Sequence, residues 1–494
     1  MSVRQETPRG GAALLINPSL ILDAAYGKVA RLMRPVPYIN LAYLAATLER
    51  HGAEVRVHDD SVRHLSVDLL AELIKGVSPV FVGISCLTPH ATRVAELSRH
   101  IRTLAPETPI VLGNIHASYF AEDLIEQGVA NVVARGEADE TVVELFSAFV
   151  AKRDLSAVRG ISFGRNGTVH HTPERPLLED LDTLPFPAWH LFPYKEYSFT
   201  PLSTIKRPLL PILGSRGCPY KCSFCVNRVF HRTYRMRHPE RILEEIRYLA
   251  GHYHARQISF FDSNFPLKKD HCLAFCAAMR KSGLQKKVVW TAMTRPDLVD
   301  EDLLGAMKRA GCRRIYFGME SGDDRILRET GKGFTVRDIE RAARLTRKVG
   351  LESCGYFMVG FPGDTKATCQ KTLTLALRLP LDFANFNLVV PYPGTDIFER
   401  LRKEGALQHT RWERYATFNP DPAQLTYLPN GLPPDWLVDL QKQALFRFYF
   451  RPKMIFRHLF VVRTISIRDM LRGLRLYLGF SFSRGILFGL SKGR

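Results

Sequence analysis

The sequence predicts an α/β protein in which two successive blocks of alternating strands and helices precede a helical extension. Three observations carry that reading. In residues 1–150 short apolar runs alternate with helical patterns, the mark of a doubly wound parallel sheet. The alternation resumes over residues 206–400 with six strand candidates. Residues 151–205 between the blocks carry turn formers, including Pro185, Pro187 and Pro193, and read as a linker.

In the first block the strands are expected at Ala13–Asn17, Glu54–Asp59, Val80–Ser85, Ile110–Gly113 and Asn131–Ala134. Helices are expected near Tyr38–His51, Val67–Lys75, Ala91–Leu104 and Ala121–Gln127. Such a five-stranded, nucleotide-fold layout binds ligands at the carboxyl ends of its strands. The linker holds one short hairpin candidate around Gly160–His170. The second block has strands expected at Leu210–Ser215, Gln257–Asp262, Val288–Met293, Arg314–Met319, Gly355–Gly360 and Ala384–Val390. Helical patterns separate them at Pro239–His252, Lys269–Lys281, Glu301–Ala310, Val336–Val349 and Lys366–Arg378. Residues 401–494 form the helical, basic extension.

Directly after the first strand of the second block stands Cys218-Pro-Tyr-Lys-Cys222-Ser-Phe-Cys225, a C-x3-C-x2-C run. A structural zinc site wants four closed ligands, and His231 could supply the fourth. An iron–sulfur cube also usually takes four cysteines. None of the other six, Cys86, Cys272, Cys276, Cys312, Cys354 and Cys369, is near the run, so one iron would stay open to a small ligand. Zinc sites more often read as C-x2-C pairs, and the spacing favours the open cluster. Gly217 before the run fits a loop that wraps such a centre.

The run resembles the signature of the radical S-adenosylmethionine superfamily, C-x3-C-x2-C with an aromatic residue before the last cysteine, here Phe224. The resemblance implies that Cys218, Cys222 and Cys225 hold a [4Fe–4S] cluster whose open iron S-adenosylmethionine chelates, with Phe224 against the adenine. It implies a partial (β/α)6 barrel of TIM type, which places the cysteine loop at the carboxyl-end mouth where barrel enzymes do their chemistry. Later strand ends echo family motifs. Asp262 and Asn264 stand where the family holds the amino group of the cofactor, and Glu320 and Ser321 where it reaches the ribose. Gly360 and Pro393 lie in loops that resemble those passing close to the adenine.

A Rossmann-like domain ahead of such a barrel resembles the cobalamin-dependent branch. The carrying residues are Val82-Gly83-Ile84-Ser85, Leu112-Gly113-Asn114-Ile115-His116-Ala117-Ser118 and Arg135-Gly136-Glu137-Ala138-Asp139-Glu140. Ser85, Gly113, His116, Gly136 and Glu137 are the implied cofactor contacts. Asn114, Ser118 and Ala138 depart from the family pattern. The Asp-x-His-x-x-Gly motif that supplies an axial cobalt ligand elsewhere is absent, since His64 follows Asp59-Asp60-Ser61 too late. Any cobalamin is therefore expected without a protein histidine on cobalt.

With 46% hydrophobic and 24% charged residues, the composition is that of a globular protein rather than a disordered one. Nine cysteines without an N-terminal signal pattern point to a reducing cytoplasm, and no apolar run is long enough to span a bilayer. The formal net charge is +20, and residues 446–494 contribute half of it, with eleven Lys or Arg against Asp469. Arg468, Arg472 and Arg475 recur at helical spacing beside Leu471, Leu474 and Leu478. Two readings of this tail stand side by side: a basic amphipathic helix on an anionic membrane face, or a helical cap on the barrel. Nucleic acid is disfavoured because no nucleic-acid module accompanies the charge.

The expected activity is a radical S-adenosylmethionine reaction. A reduced cluster, fed by a flavodoxin- or ferredoxin-type donor, cleaves S-adenosylmethionine, and the adenosyl radical takes a hydrogen from an unactivated carbon. By resemblance, methyl transfer from cobalamin to that carbon follows, on a lipid-like or other small-molecule substrate. The rivals are an oxidative cyclase or rearrangement enzyme of tetrapyrrole or hopanoid synthesis and a non-catalytic cobalamin sensor.

Overall fold

The computed structural model describes residues 10–20, 35–197, 202–227, 232–418, 421–429 and 431–462. The first sheet has seven strands in the order β2-β1-β3-β4-β5-β6-β7. The first five are β1 (Ala12–Asn17), β2 (Glu54–Asp59), β3 (Phe81–Ser85), β4 (Ile110–Gly113) and β5 (Val132–Ala134), all parallel. β1, β3 and β5 are buried apolar runs, as parallel strands covered on both faces must be, while the edge strand β2 exposes Glu54 and Arg56. The chain order reverses between β1 and β3, and at that point an open sheet leaves a crevice for a ligand.

β6 (Ile161–Arg165) and β7 (Thr168–His171) add antiparallel strands to this sheet through β5. The hairpin expected inside the linker is thus part of the first domain's sheet. Ile161, Ser162 and Phe163 are buried where β6 pairs with β5, while Gly164 and Arg165 beyond that pairing are exposed.

The second sheet is parallel throughout, in the order β15-β14-β13-β12-β11-β8, and its two end strands do not pair. It comprises β8 (Leu209–Ile212), β11 (Gln257–Phe260), β12 (Val289–Thr294), β13 (Cys312–Glu320), β14 (Glu352–Val359) and β15 (Phe383–Leu388). This is the expected six-unit partial barrel, with one correction. Ser215 does not belong to the first barrel strand. It opens β9 (Ser215–Gly217), which pairs antiparallel with β10 (Tyr234–Met236) in a separate two-stranded sheet.

The helix Pro434–Tyr449 covers the edge strand β15. The Tyr449 hydroxyl accepts from the Ala384 N–H at 3.1 Å and donates to the Ala384 carbonyl at 2.8 Å, while Gln441 Nε2 donates to the Phe386 carbonyl at 2.7 Å. An edge that would otherwise expose unpaired backbone is closed by side chains. Phe448 is fully buried against Phe386, so this part of the extension is a cap on the barrel. Beyond it Phe456, Phe460 and Val461 are exposed, at 61%, 59% and 53%. The amphipathic stretch from Arg468 to Leu478 lies outside the described residues. Among the described residues no helix is long and apolar enough to cross a membrane.

One hydrophobic core runs through both domains, from Leu15 and Phe81 through Leu41 and Trp189 to Ile212 and Leu249. A buried polar group crosses the junction: the Tyr43 hydroxyl and the Arg237 guanidinium both donate to the Glu245 carboxylate. A buried ion pair of this kind adds little net stability but is costly to break.

Candidate cofactor sites

The cysteine loop is an excursion whose base is tied by the β9–β10 pairing. Gly217 has φ +84, and a Cβ there would lie 1.9 Å from the Thr233 carbonyl oxygen, so only glycine lets the two arms approach. The loop is pinned to the barrel at Ser223, whose N–H donates to the Thr330 carbonyl and whose carbonyl accepts from the Ile397 N–H, both at 3.0 Å. Burial pushes the Cys222 and Cys225 thiols up, and the neighbouring thiols push the same way, while Lys332 opposes both. The fixed Lys332 cation beside these two thiols suits an anionic, thiolate-ligated cluster. Among the described residues no three Cys, His, Asp or Glu side chains gather closely enough for a single metal ion, and His231 lies outside those residues.

Lys332 was not marked by any sequence pattern, yet the site is built around it. Its ammonium is 3.1 Å from Glu320 Oε1, 5.7 Å from the centre of the Phe224 ring and 5.2 Å from that of Phe334. Glu320 ends β13 at φ +59, next to a register shift against β14, which turns its carboxylate onto the lysine. Phe224 packs at 5.3 Å on Phe361. Arg295, also unmarked, stacks 3.5 Å over Tyr220 of the cysteine loop and donates to the Lys332 carbonyl at 2.5 Å. Phe224 and Glu320 therefore converge on Lys332, a cation that suits the carboxylate of S-adenosylmethionine, while Arg295 is held in a bidentate pair with Asp297 at 2.9 Å.

The other expected contacts divide. Asn264 Oδ1 accepts from the Thr294 hydroxyl at 2.9 Å, and its Nδ2 is buried without a partner, a donor free for a bound cofactor. Asp262 instead turns inward, accepting from the Gly214 N–H at 2.8 Å and from the Ser215 hydroxyl, and holds the bend between β8 and β9. The Ser321 hydroxyl accepts from the Asp323 N–H at 3.2 Å and lies 3.4 Å from Thr372 Oγ1, so it shapes its own turn. Gly360, at φ +91, donates its N–H to Asp364 at 2.9 Å, and Pro393 is buried in the loop ahead of the Thr395-capped helix Asp396–Lys403.

Burial pushes the Asp262 carboxyl up to about 7 against its hydrogen-bond donors. An acid whose folded pKa is raised stabilises the fold fully below its unfolded pKa, and loses that contribution as pH rises toward the folded value. We expect the urea midpoint to fall between about pH 4 and 7, and Asp262→Asn, which stays neutral, to flatten that slope. An unchanged slope would mean that Asp262 is ionised when folded.

The second site is a cavity of about 280 Å³ at the switch point of the first sheet, closed from the far side by the barrel. Ser85, Gly113, Gly136 and Glu137 line it. Leu15, Phe81, Val142 and Leu145, all members of the core, form apolar walls suited to a flat aromatic group. No atom lies within 4 Å of a Cβ placed at Gly136, so the loop leaves room there for a bulky ligand. The positions that depart from the family pattern tie its rim: Asn114 Nδ2 donates to the Ser85 hydroxyl at 3.1 Å, and the Gly136 N–H to the Ser118 hydroxyl at 3.4 Å. These features fit cobalamin, which Ser85, Gly113, Gly136 and the apolar walls would hold.

His116 is not a wall of this cavity. Its Nδ1 lies 3.2 Å from the Thr88 hydroxyl, and its ring packs at 4.8 Å on Phe120 and 5.2 Å on Trp412, which arrives from the far end of the chain. Burial pushes the imidazole down to about 4. His116→Ala is expected to leave the visible spectrum of bound cobalamin unchanged while costing on the order of 1–3 kcal/mol of stability. A spectral shift would put the histidine on cobalt.

A cysteine loop at the mouth of an open six-unit barrel, facing a switch-point cavity, defines an enzyme that pairs a cluster with a second large cofactor. Residues 212–376 match the radical SAM superfamily and residues 29–146 the B12 binding domain. An uncharacterized methyltransferase of Pyrococcus horikoshii is 31% identical over 89% of this chain and 94% of its own length. The anaerobic magnesium-protoporphyrin IX monomethyl ester cyclase of Cereibacter sphaeroides is 29% identical over 83% of this chain and 68% of its own. The fold is that of the radical S-adenosylmethionine methyltransferase TsrM from Kitasatospora setae, solved with cobalamin and a [4Fe–4S] cluster bound. Its TM-score is 0.69 at 20% identity, over 90% of this chain and 91% of that one. The chain belongs to the cobalamin-dependent radical S-adenosylmethionine enzymes, and its cofactors are a [4Fe–4S] cluster, S-adenosylmethionine and cobalamin.

Proposed function

We propose that the chain methylates an unactivated carbon of an uncharged, partly apolar small molecule held in the barrel lumen. One observation carries the reading. The switch-point cavity has walls from both domains: Ser85, Gly113 and Gly136 on one side, and Leu213, Gly217, Asn227 and Phe261 on the other. Asn227 is two residues past Cys225, so the cobalamin site and the cysteine loop open onto one space. When bound, the cofactors supply reductive cleavage of S-adenosylmethionine, hydrogen abstraction and a methyl donor.

The chain's own part is to hold and select. Ala384, Phe386 and Leu388 of β15 and Phe357 and Val359 of β14 belong to the core under the helices. Alternation turns Asn385, Asn387, Tyr356 and Met358 to the lumen, with Tyr356 paired to Asn385 and Met358 to Asn387. Two neutral amides beside an aromatic and a thioether suit carbonyl, amide or hydroxyl groups on an apolar body better than a fixed charge.

The test is anaerobic turnover of reconstituted protein with methyl-deuterated S-adenosylmethionine, a reduced flavodoxin and fractionated lipid, tetrapyrrole and small-metabolite extracts, read by mass spectrometry. A product carrying the labelled methyl group is expected. A product that has lost hydrogen without gaining the label would place the chain with the oxidative cyclase it resembles. The basic surface suits an acidic electron carrier. The exposed Phe456, Phe460 and Val461, beside the basic tail, support peripheral contact with an anionic membrane, and salt-sensitive sedimentation with anionic but not neutral vesicles is the expected outcome.

A further inference from the structure

The two strands that tie the cysteine loop carry a like-charge pair that the chain's other domain neutralises. In the β9–β10 register Arg216 stands directly opposite Arg235. Arginines opposite one another on an antiparallel pair repel, and two nearly buried guanidiniums do so at lower dielectric than in water. The counter-charges come from the loop after β5. Arg216 forms a bidentate pair with Asp139, at 2.6 and 3.1 Å, and Arg235 a bidentate pair with Glu137, at 2.9 and 2.6 Å. Arg216 also lies 3.7 Å from Glu137, and Arg235 donates to the Leu178 carbonyl at 2.6 Å. All four side chains are 14% exposed or less.

The same carboxylate loop lines the cobalamin cavity. Gly136, Glu137, Ala138 and Asp139 are walls of it, as is Arg216. The Glu137 carboxylate, expected as a cofactor contact, is instead held by the barrel's arginines. Whatever orders this loop therefore also fixes the two counter-charges that let β9 and β10 stay paired beneath the cysteines. Without them the base of the loop would carry two facing positive charges.

Building on the cobalamin site described above, we propose that Glu137 and Asp139 couple the two cofactor sites: cobalamin in the cavity orders the β9–β10 base and so holds the cysteine loop ready for its cluster. These are positioning residues, acting on the cluster through Arg235 and Arg216. Linkage requires the coupling to be reciprocal, with the cluster tightening cobalamin by the factor by which cobalamin stabilises the cluster.

The experiment uses the full chain, with hydroxocobalamin titrated by absorbance against cluster-loaded protein and against a Cys222→Ser/Cys225→Ser variant that carries no cluster. The wild-type cluster is expected to tighten cobalamin by about fivefold or more, within the usual range of coupling between sites. Bound cobalamin should also slow iron loss to a chelator. Glu137→Gln and Asp139→Asn should each reduce the factor toward one, while cluster content after reconstitution and the circular dichroism spectrum remain those of the wild type. Glu413→Gln, which removes the charge from the 2.8 Å contact made by the Thr92 hydroxyl elsewhere between the first domain and the C-terminal region, should leave the factor unchanged. A factor of one in the wild type, an undiminished factor in both carboxamide variants, or an equal loss in Glu413→Gln would overturn the proposal. Failure of the wild type to bind hydroxocobalamin at all would instead strike the cobalamin site itself, and the coupling with it.

Discussion

Replacing Cys218, Cys222 or Cys225 by Ala is expected to remove iron, sulfide and all cleavage of S-adenosylmethionine together, leaving a folded chain. The loop that carries them is anchored by backbone bonds from Ser223 to Thr330 and Ile397 and by the close contact at Gly217, none of which uses a thiol. Loss of one sulfur therefore strikes the metal centre and not the barrel. Anaerobic wild-type protein should carry about four irons per chain and show the broad thiolate-to-iron absorption of a cluster. Each variant should lose that absorption and its 5′-deoxyadenosine formation while keeping its far-ultraviolet spectrum. Stoichiometric zinc without charge-transfer absorption in the wild type would refute the cluster assignment.

Lys332→Met is expected to abolish 5′-deoxyadenosine formation while the cluster still assembles, and to destabilise the chain. The lysine and Glu320 are each less than 10% exposed. Removing one member of so buried a pair leaves the other charge uncompensated, at a cost of about 3–5 kcal/mol. The double variant Lys332→Met/Glu320→Gln should recover most of that stability, since neither charge remains, yet stay inactive. Urea unfolding and the 5′-deoxyadenosine assay separate the two effects. Activity recovered with stability in the double variant would mean that the pair is structural only.

Much of this arrangement was legible in the sequence, and the parts that were not share a cause. The barrel strands stood out because fully buried parallel strands read as continuous apolar runs between helical patterns. The cysteine loop stood out because its three thiols are close in sequence. Pairing between distant segments is written in no window of sequence. The hairpin at 161–171 looked like linker because its place in the sheet depends on β5, some thirty residues earlier. Ser215 read as strand because the apolar run reaches it, while the bend at Gly214 is made by Asp262 from another strand. Lys332, between Gly331 and Gly333, looked like an ordinary turn lysine until β13 brought Glu320 to it. The surroundings of His116 were hidden for a related reason, since Trp412, which packs on it, lies almost three hundred residues away.

The unpaired end strands of the barrel bear on how such a scaffold changes over evolutionary time. A closed barrel has a circumference fixed by its strand number and stagger, and widening it means breaking a whole ladder of hydrogen bonds. Here β8 and β15 are not laced together, and β15 is shielded by a helix through a tyrosine and a glutamine. At that seam no backbone ladder fixes the bore. Small substitutions along that seam can alter its girth by increments, with strand register and cofactor geometry held constant, so lineages can exchange bulky guests for slender ones without first dismantling the fold.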